Sequence, residues 1–266
     1  MYRPDSKPTT VQFLRKSIRK LFLDIAGKFA VPSAGIHILN GHYLSRDAGD
    51  PQRLHDLLRQ LQRQCRLVRI EEAVEMIARH ASPAEPCVAF TFDDGLDEHA
   101  SAIAPLLEQF NINAAFFINP GFMDGDASYR ANFLDKVILT PGKAPMTWNQ
   151  VRELQQRGHI IGSHGQDHLR LNTDNKDMIN RELLVSKQTI EQHTGVPCVY
   201  FAYPYGGMAD LSAAALRMAQ QHYRYIFSQS DHKRCHSFHG AVINRRHFEP
   251  FWPVEHVKYF LSVKKT

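Results

Sequence analysis

The sequence predicts an α/β fold built on a largely parallel sheet. Two features carry that reading: short apolar runs alternate with segments of helical period, and several of those runs stop at polar or glycine-containing turns. Composition agrees. With 43% hydrophobic and 22% charged residues, the 266-residue chain can bury one large core, and nothing in it suggests disorder, a collagen repeat or a membrane bundle.

From the N-terminus, apolar residues recur at Phe13/Leu14, Ile18, Leu21/Phe22 and Ile25/Ala26 with a basic opposite face, the spacing of an amphipathic helix over 11–30. Residues 1–30 read as a basic helical extension that packs on one main domain, 31–266, with peripheral contact to a membrane surface as the alternative use of that helix. Arg15, Lys16, Arg19, Lys20, Asp24 and Lys28 interrupt any uniform apolar stretch that a secretory signal would need. Strands are expected over 35–39, 66–70, 87–92, 114–118, 159–162, 200–202, 225–227 and 241–244, and helices over 51–64, 70–79, 99–110, 147–158, 176–195 and 210–221. Asn172 or Thr173 is a candidate cap for the helix that Gly195 ends, and Gly158 ends the one before it. Residues 119–145 read as an insertion loop with one short helix over 129–138.

The apolar runs at 87–92 and 114–118 are far shorter than the roughly 20 residues of a membrane-spanning helix. Cys65, Cys87, Cys198 and Cys235 are too scattered for a zinc ribbon or a disulfide scaffold and fit reduced thiols in a cytoplasmic protein. The net charge of +5 gathers around 15–20 and 245–265 and reads as solvated surface; no basic cluster interleaves with aromatics as nucleic-acid binding would require.

Candidate chemistry concentrates where apolar runs stop. Residues 88–95, VAFTFDDG, form a buried strand that ends in Asp93, Asp94 and a glycine, and parallel sheets put ligand-facing residues at such C-terminal strand ends. On extended backbone the two carboxylates point apart, so one is able to ligate a metal while the other faces water; Asp-Asp-Gly is equally good turn chemistry. Residues 158–171, GHIIGSHGQDHLRL, present His164 and His168 four apart after a second strand. Among 15 histidines roughly one such pair is expected by chance, and His232 with His236 is another, in the polar stretch DHKRCH beside Cys235 and read as a surface loop. The first pair differs in following its own apolar strand. Two imidazoles and a carboxylate make a three-ligand site with an open position for water, as in catalytic zinc, and leave Asp93 as general base. Residues 199–207, VYFAYPYGG, run from a third strand into a Pro-Gly turn able to offer a backbone N–H and an aromatic wall to a cleft.

Taken in order, these segments resemble the polysaccharide deacetylase family that shares the chitooligosaccharide deacetylase homology domain (carbohydrate esterase family 4), over nearly all of residues 35–260. The resemblance implies an irregular (β/α)7 TIM-like barrel that removes an N-acetyl group from an amino sugar in a polysaccharide or glycan precursor. TFDDG at 91–95 is similar to the first motif, with Asp93 as catalytic base and Asp94 as metal ligand. MTWNQVRELQQRGHIIGSHGQDH, 146–168, resembles the second, with His164 and His168 as the other ligands of Zn²⁺ or a related cation such as Co²⁺ or Ni²⁺. FAYPYG, 201–206, resembles the third, lining the groove with Pro204 and Tyr205 and offering the Tyr205 N–H to an oxyanion. There are three departures. Gly165 stands where the family often has Ser or Thr. Ala202 stands where an arginine commonly orients the base. The last motif, a Leu-x-His carrying the general acid, has no clean counterpart; His239 and His247 are the nearest candidates, each read as non-catalytic.

Two other functions are compatible with these residues: a catalytically impaired glycan-binding relative, suggested by Ala202 and the missing acid, and a metal-dependent hydrolase of a small non-sugar amide. The expectation of a cytoplasmic, membrane-associated location points to a surface-glycan precursor as substrate. Oligomeric state is not legible in the sequence.

Overall fold

A computed structural model of the chain describes residues 10–45, 50–231 and 233–264, with side chains from residue 15 on and Lys16 excepted. The side chains of Phe13, Leu14 and His232, used in the sequence reading, lie outside this set.

Among the described residues, ten strands form one sheet: β1 (Gly35–Gly41), β2 (Arg66–Leu67), β3 (Pro86–Phe92), β4 (Ala114–Ile118), β5 (Ile160–Ser163), β6 (Tyr200–Ala202), β7 (Tyr225–Ser228), β8 (His236–Ser237), β9 (Val242–Asn244) and β10 (Arg246–His247). The path runs β10-β1-β3-β4-β5-β6-β7-β9-β8, parallel throughout except for β8 against β9, with β2 added to β3. β9 and β10 are one strand interrupted at Arg245. Its first half pairs with β7 through Phe227 and Ile243, its second with β1 through Leu39 and Arg246, so the two edges of the sheet meet and the strands curl into the expected (β/α)7 barrel.

The helices are α1 (Thr10–Phe29), α2 (Pro51–Gln62), α3 (Ile70–Ala78), α4 (Ala104–Glu108), α5 (Pro120–Asp124), α6 (Ala127–Asn132), α7 (Trp148–Gln156), α8 (Lys176–Asn180), α9 (Ser186–Thr194), α10 (Ala213–His222) and α11 (Val254–Leu261). β3 and β4 read as unbroken apolar runs because both their faces are covered. Their alternate residues enter different clusters. Val88, Phe90, Phe92 and Phe116 pack with Leu54, Leu58, Leu107, Val151 and Ile190 of the surrounding helices, while Ala89, Ala115 and Phe117 meet Ala202, Phe227 and Ile243 inside the barrel, with Ile70 and Val74 of α3.

Several boundaries differ from expectation for local reasons. The cap before α8 is Asn175, whose side chain accepts from the N–H groups of Asp177 and Met178, rather than Asn172 or Thr173. Residues 119–145 hold two short helices and a π-helical turn, Phe133–Val137, because Phe122, Phe133 and Leu134 bury a small core of their own with Leu96. α11 was not expected; it is eight residues long, and its apolar face is evident only where Val257 and Leu261 meet the main core. Gly195 ends α9 in the left-handed region, φ 72°, as its type predicts.

Candidate active site

The strand ends converge. Asp93 and Asp94 follow β3 and are almost fully buried, as are His164 and His168 on the loop after β5. The backbone at Asp94 is left-handed, φ 78°, not extended, and this turn separates the two carboxylates: Asp94 aims at the histidines and Asp93 at Arg245. Asp94 Oδ1 lies 3.7 Å from His164 Nε2 and 3.5 Å from His168 Nε2. Three ligands each about 2.0–2.1 Å from a zinc ion in tetrahedral directions sit about 3.3–3.5 Å apart, so the trio fits such a cation. His164 Nδ1 is 2.7 Å from the Ala202 carbonyl oxygen; donating there fixes the tautomer and leaves the Nε2 lone pair free to ligate.

Three of the nine non-glycine residues with positive φ among those described lie here: Asp94, His168 and Tyr205. The surrounding network holds that conformation. Asn119 Nδ2 donates to the carbonyl oxygens of His164 and Gly165, at 2.6 and 3.0 Å. The carboxylate of Glu182, fully buried, accepts from the N–H of Asp167 and of Leu169, one on each side of His168. Burial pushes the Glu182 carboxyl up to about 7 against those two hydrogen bonds. Glu182 also explains Gly165. With φ 82°, a Cβ there would stand 2.4 Å from Glu182 Oε2, so no room is left for the Ser or Thr side chain expected at that position.

Arg245 supplies what Ala202 lacks. It is completely buried at the break between β9 and β10, where the sequence reading had counted it as solvated surface charge. Its Nη1 and Nη2 donate to the two oxygens of Asp93 at 2.8 and 2.9 Å, Nη1 also donates to Asn40 Oδ1 and Thr91 Oγ1, and Nε donates to the Ser228 carbonyl. Asn40 Nδ2 adds a third donor to Asp93, at 2.9 Å. Burial opposes ionisation of Asp93, but the charge of Arg245 and the hydrogen bonds outweigh it and hold the carboxyl well below the usual range. Asp94 has no such partner, and burial raises its carboxyl. His168 is pushed well below the ordinary imidazole value by burial and by His164, which suits a neutral ligand.

A second group sits beside the first. His42 follows β1, and its Nδ1 is 2.9 Å from Glu249 Oε1; His247 Nε2 is 3.6 Å from the same oxygen. Burial disfavours charge on His42, yet the Glu249 hydrogen bond and charge, with Asp94 and Asp93 behind them, raise it to about 9. His247 goes the other way, to about 4, through burial and the neighbouring His42. His239 is remote: with His80 and His236 it lines a cavity that includes Ala78 and Tyr225, at the N-terminal ends of the strands. The third expected segment does reach the site. The Tyr205 ring lies edge-on to His168, centroids 4.9 Å apart, with the Arg170 guanidinium 3.6 Å over its face, and Pro204 borders Gly165.

The structure thus brings together Asp94, His164 and His168, which the sequence singles out, and adds Asn40, His42, Arg245 and Glu249, which it does not. The signal for two of them was the rule already applied to β3: an apolar run, HILNGH, ending in polar residues at Asn40 and His42.

The model of the polysaccharide deacetylase family matches residues 80–225. Among curated relatives, YxkH of Bacillus subtilis is 28% identical over 136 residues, 51% of this chain and 43% of that protein. A peptidoglycan-N-acetylglucosamine deacetylase of Bacillus cereus is 28% identical over 124 residues, 46% of this chain and 38% of that protein. The chain therefore spans less than half the length of these relatives. The solved structure of IcaB from Ammonifex degensii superposes with TM-score 0.68 at 19% identity, covering 88% of this chain and 99% of that one, a likeness of fold. The matched segment takes in all three strand-end motifs and stops short of β1 and β9/β10, which bring His42, Arg245 and Glu249. On a match extending over more than half its length, this chain belongs to the polysaccharide deacetylase family.

Proposed function

We propose that the chain is a metal-dependent hydrolase that removes the N-acetyl group from an amino sugar within a polysaccharide or glycan precursor. The observation that carries this reading is the buried trio of Asp94, His164 and His168, beside which Asp93 is gripped by Arg245 and His42 is hydrogen-bonded to Glu249. A divalent ion held by the trio, Zn²⁺ first and Co²⁺ or Ni²⁺ as alternatives, would supply Lewis-acid polarisation and acidify water.

Asp93, fixed by Arg245 and Asn40, takes a proton from the attacking water, whose oxygen forms a bond to the acetamide carbonyl carbon. The Tyr205 N–H is assigned to the oxygen on which negative charge develops, where a positioned donor contributes about 2.7–4 kcal/mol. As the C–N bond breaks, His42, oriented by Glu249, donates its proton to the departing nitrogen, giving acetate and a free amine. This assignment names the acid that the motif comparison left open, and Arg245 provides the orienting cation absent at Ala202. Both supports for a catalytically impaired binding protein are thereby weakened.

The test is acetate release from N-acetylglucosamine oligomers by the intact chain, with chelator treatment and Asp93→Asn as controls. Release that both controls abolish is the expected result. Metal binding without release from any glycan overturns the reading in favour of a binding module, and release only from small amides points to the alternative hydrolase.

A further inference from the structure

We propose that α1 is a membrane-surface anchor that seats the domain on an anionic lipid bilayer, an interaction independent of the deacetylase reading. α1 buries one face only. Leu23 is buried, a Cβ on Gly27 would stand 2.2 Å from the Glu255 carbonyl oxygen, so α1 and α11 cross in close contact, and Asp24 Oδ1 is 2.7 Å from His256 Nε2. At roughly 100° per residue the opposite face holds Ile18, Leu21, Phe22, Ile25 and Phe29, the i, i+3, i+4, i+7, i+11 spacing of one stripe. These five side chains are between 53% and 81% exposed, and Val31, also exposed, prolongs the stripe beyond the helix.

Charge selects the occupant. Arg15 and Arg19 flank the stripe on one side and Lys28 on the other, all exposed, with Lys20 farther round the helix. The helix has a single acidic residue, Asp24, and that one pairs with α11. An apolar stripe bordered by cations on both sides matches the boundary between acyl chains and anionic headgroups, where apolar burial and electrostatic attraction add. A second copy of the same face would bring these cations against one another. No helix among the described residues is long and apolar enough to cross a membrane, so the geometry is that of a helix lying in the interface.

The experiment is co-sedimentation of the full chain with phosphatidylcholine vesicles, with and without phosphatidylglycerol, alongside the Leu21→Glu/Ile25→Glu and Arg15→Gln/Arg19→Gln/Lys28→Gln variants. All five positions are exposed, so melting curves should match the parent and show that the variants fold. Binding only to the anionic vesicles, weakened by salt, is expected. The first variant should lose at least about tenfold in partitioning, and the second about fivefold for each cation removed, the equivalent of about 1 kcal/mol each. No binding of the parent chain to anionic vesicles overturns the proposal, as does undiminished binding by the Leu21→Glu/Ile25→Glu variant. A dimer in sedimentation equilibrium that this variant splits, with no vesicle binding by the parent, assigns the stripe instead to a second copy.

Discussion

Replacing Arg245 with methionine removes both donors that grip Asp93 and leaves the carboxylate buried with Asn40 as its remaining hydrogen-bond donor among those described above. Breaking one side of a buried ion pair costs about 3–5 kcal/mol, and each kcal/mol lowers Tm by about 2–4 °C in chains of 150–250 residues. Taking the lower slope for a chain of this size, Tm should fall by about 6–10 °C. The pH dependence should also change sign. In the parent, Asp93 titrates below the ordinary carboxylate value of 3.8, so its stabilising contribution is present above that value and lost as pH falls through the depressed folded pKa. Without the guanidinium, burial pushes the carboxyl up, so the variant should lose stability as pH rises above 3.8. The acid limb of the kcat/KM profile should move upward with it. Circular-dichroism melts from pH 4 to 8 and acetate release over the same range measure both effects. A Tm within about 1 °C of the parent, with an unmoved acid limb, would refute the argument that Arg245 holds the base ionised.

Further outcomes follow from the same geometry. Ala202 and the Arg245 guanidinium share the interior wall made by Phe117 and Phe227, so Ala202→Arg should destabilise the parent but restore part of the activity lost in Arg245→Ala, measured as kcat/KM; no rescue would mean that the two positions are not interchangeable supports. His42→Gln should lower kcat by about 10²–10⁴-fold without changing zinc affinity, and Glu249→Gln should shift the basic limb of the profile from about 9 toward 6.5, read from initial rates against pH. The same shift works on stability: the His42 contribution is fully present below 6.5 and lost as pH rises through about 9, so Glu249→Gln should flatten the melting curve across that window. Zinc at 100 times its dissociation constant should stabilise the parent by about 2.7 kcal/mol in thermal melts and leave His164→Gln unaffected, while Gly165→Ser should destabilise by about 1–3 kcal/mol because the residue is left-handed and faces Glu182.

The parts of this protein legible in its sequence are those whose environment is uniform. β3 and β4 are buried on both faces, so their apolar runs declare a parallel sheet, and strand-end logic then points to Asp93, Asp94 and the His164 loop. What escaped depends on closure. Among the described residues Arg245 carries the most buried arginine or lysine side chain, yet in sequence it stands in a basic stretch, INRRHF, indistinguishable from a solvated terminus. His42 and Glu249 lie 207 positions apart and acquire meaning only when β10 reaches β1. The left-handed backbone at Asp94 was only half legible: Asp-Asp-Gly left a turn open beside an extended strand end, and aspartate tolerates either, so the surrounding contacts decide between them.

The interruption of the closing strand at Arg245 bears on how the chain matures. During synthesis β1 and β3 leave the ribosome more than 150 residues before that arginine does. Until the final strand docks, a nascent intermediate would enclose Asp93 without its counter-ion and His42 without Glu249. Closing the sheet and pairing Asp93 and His42 with their partners thus depend on the same strand, so an emerging polypeptide would lack both pairings until that strand docks.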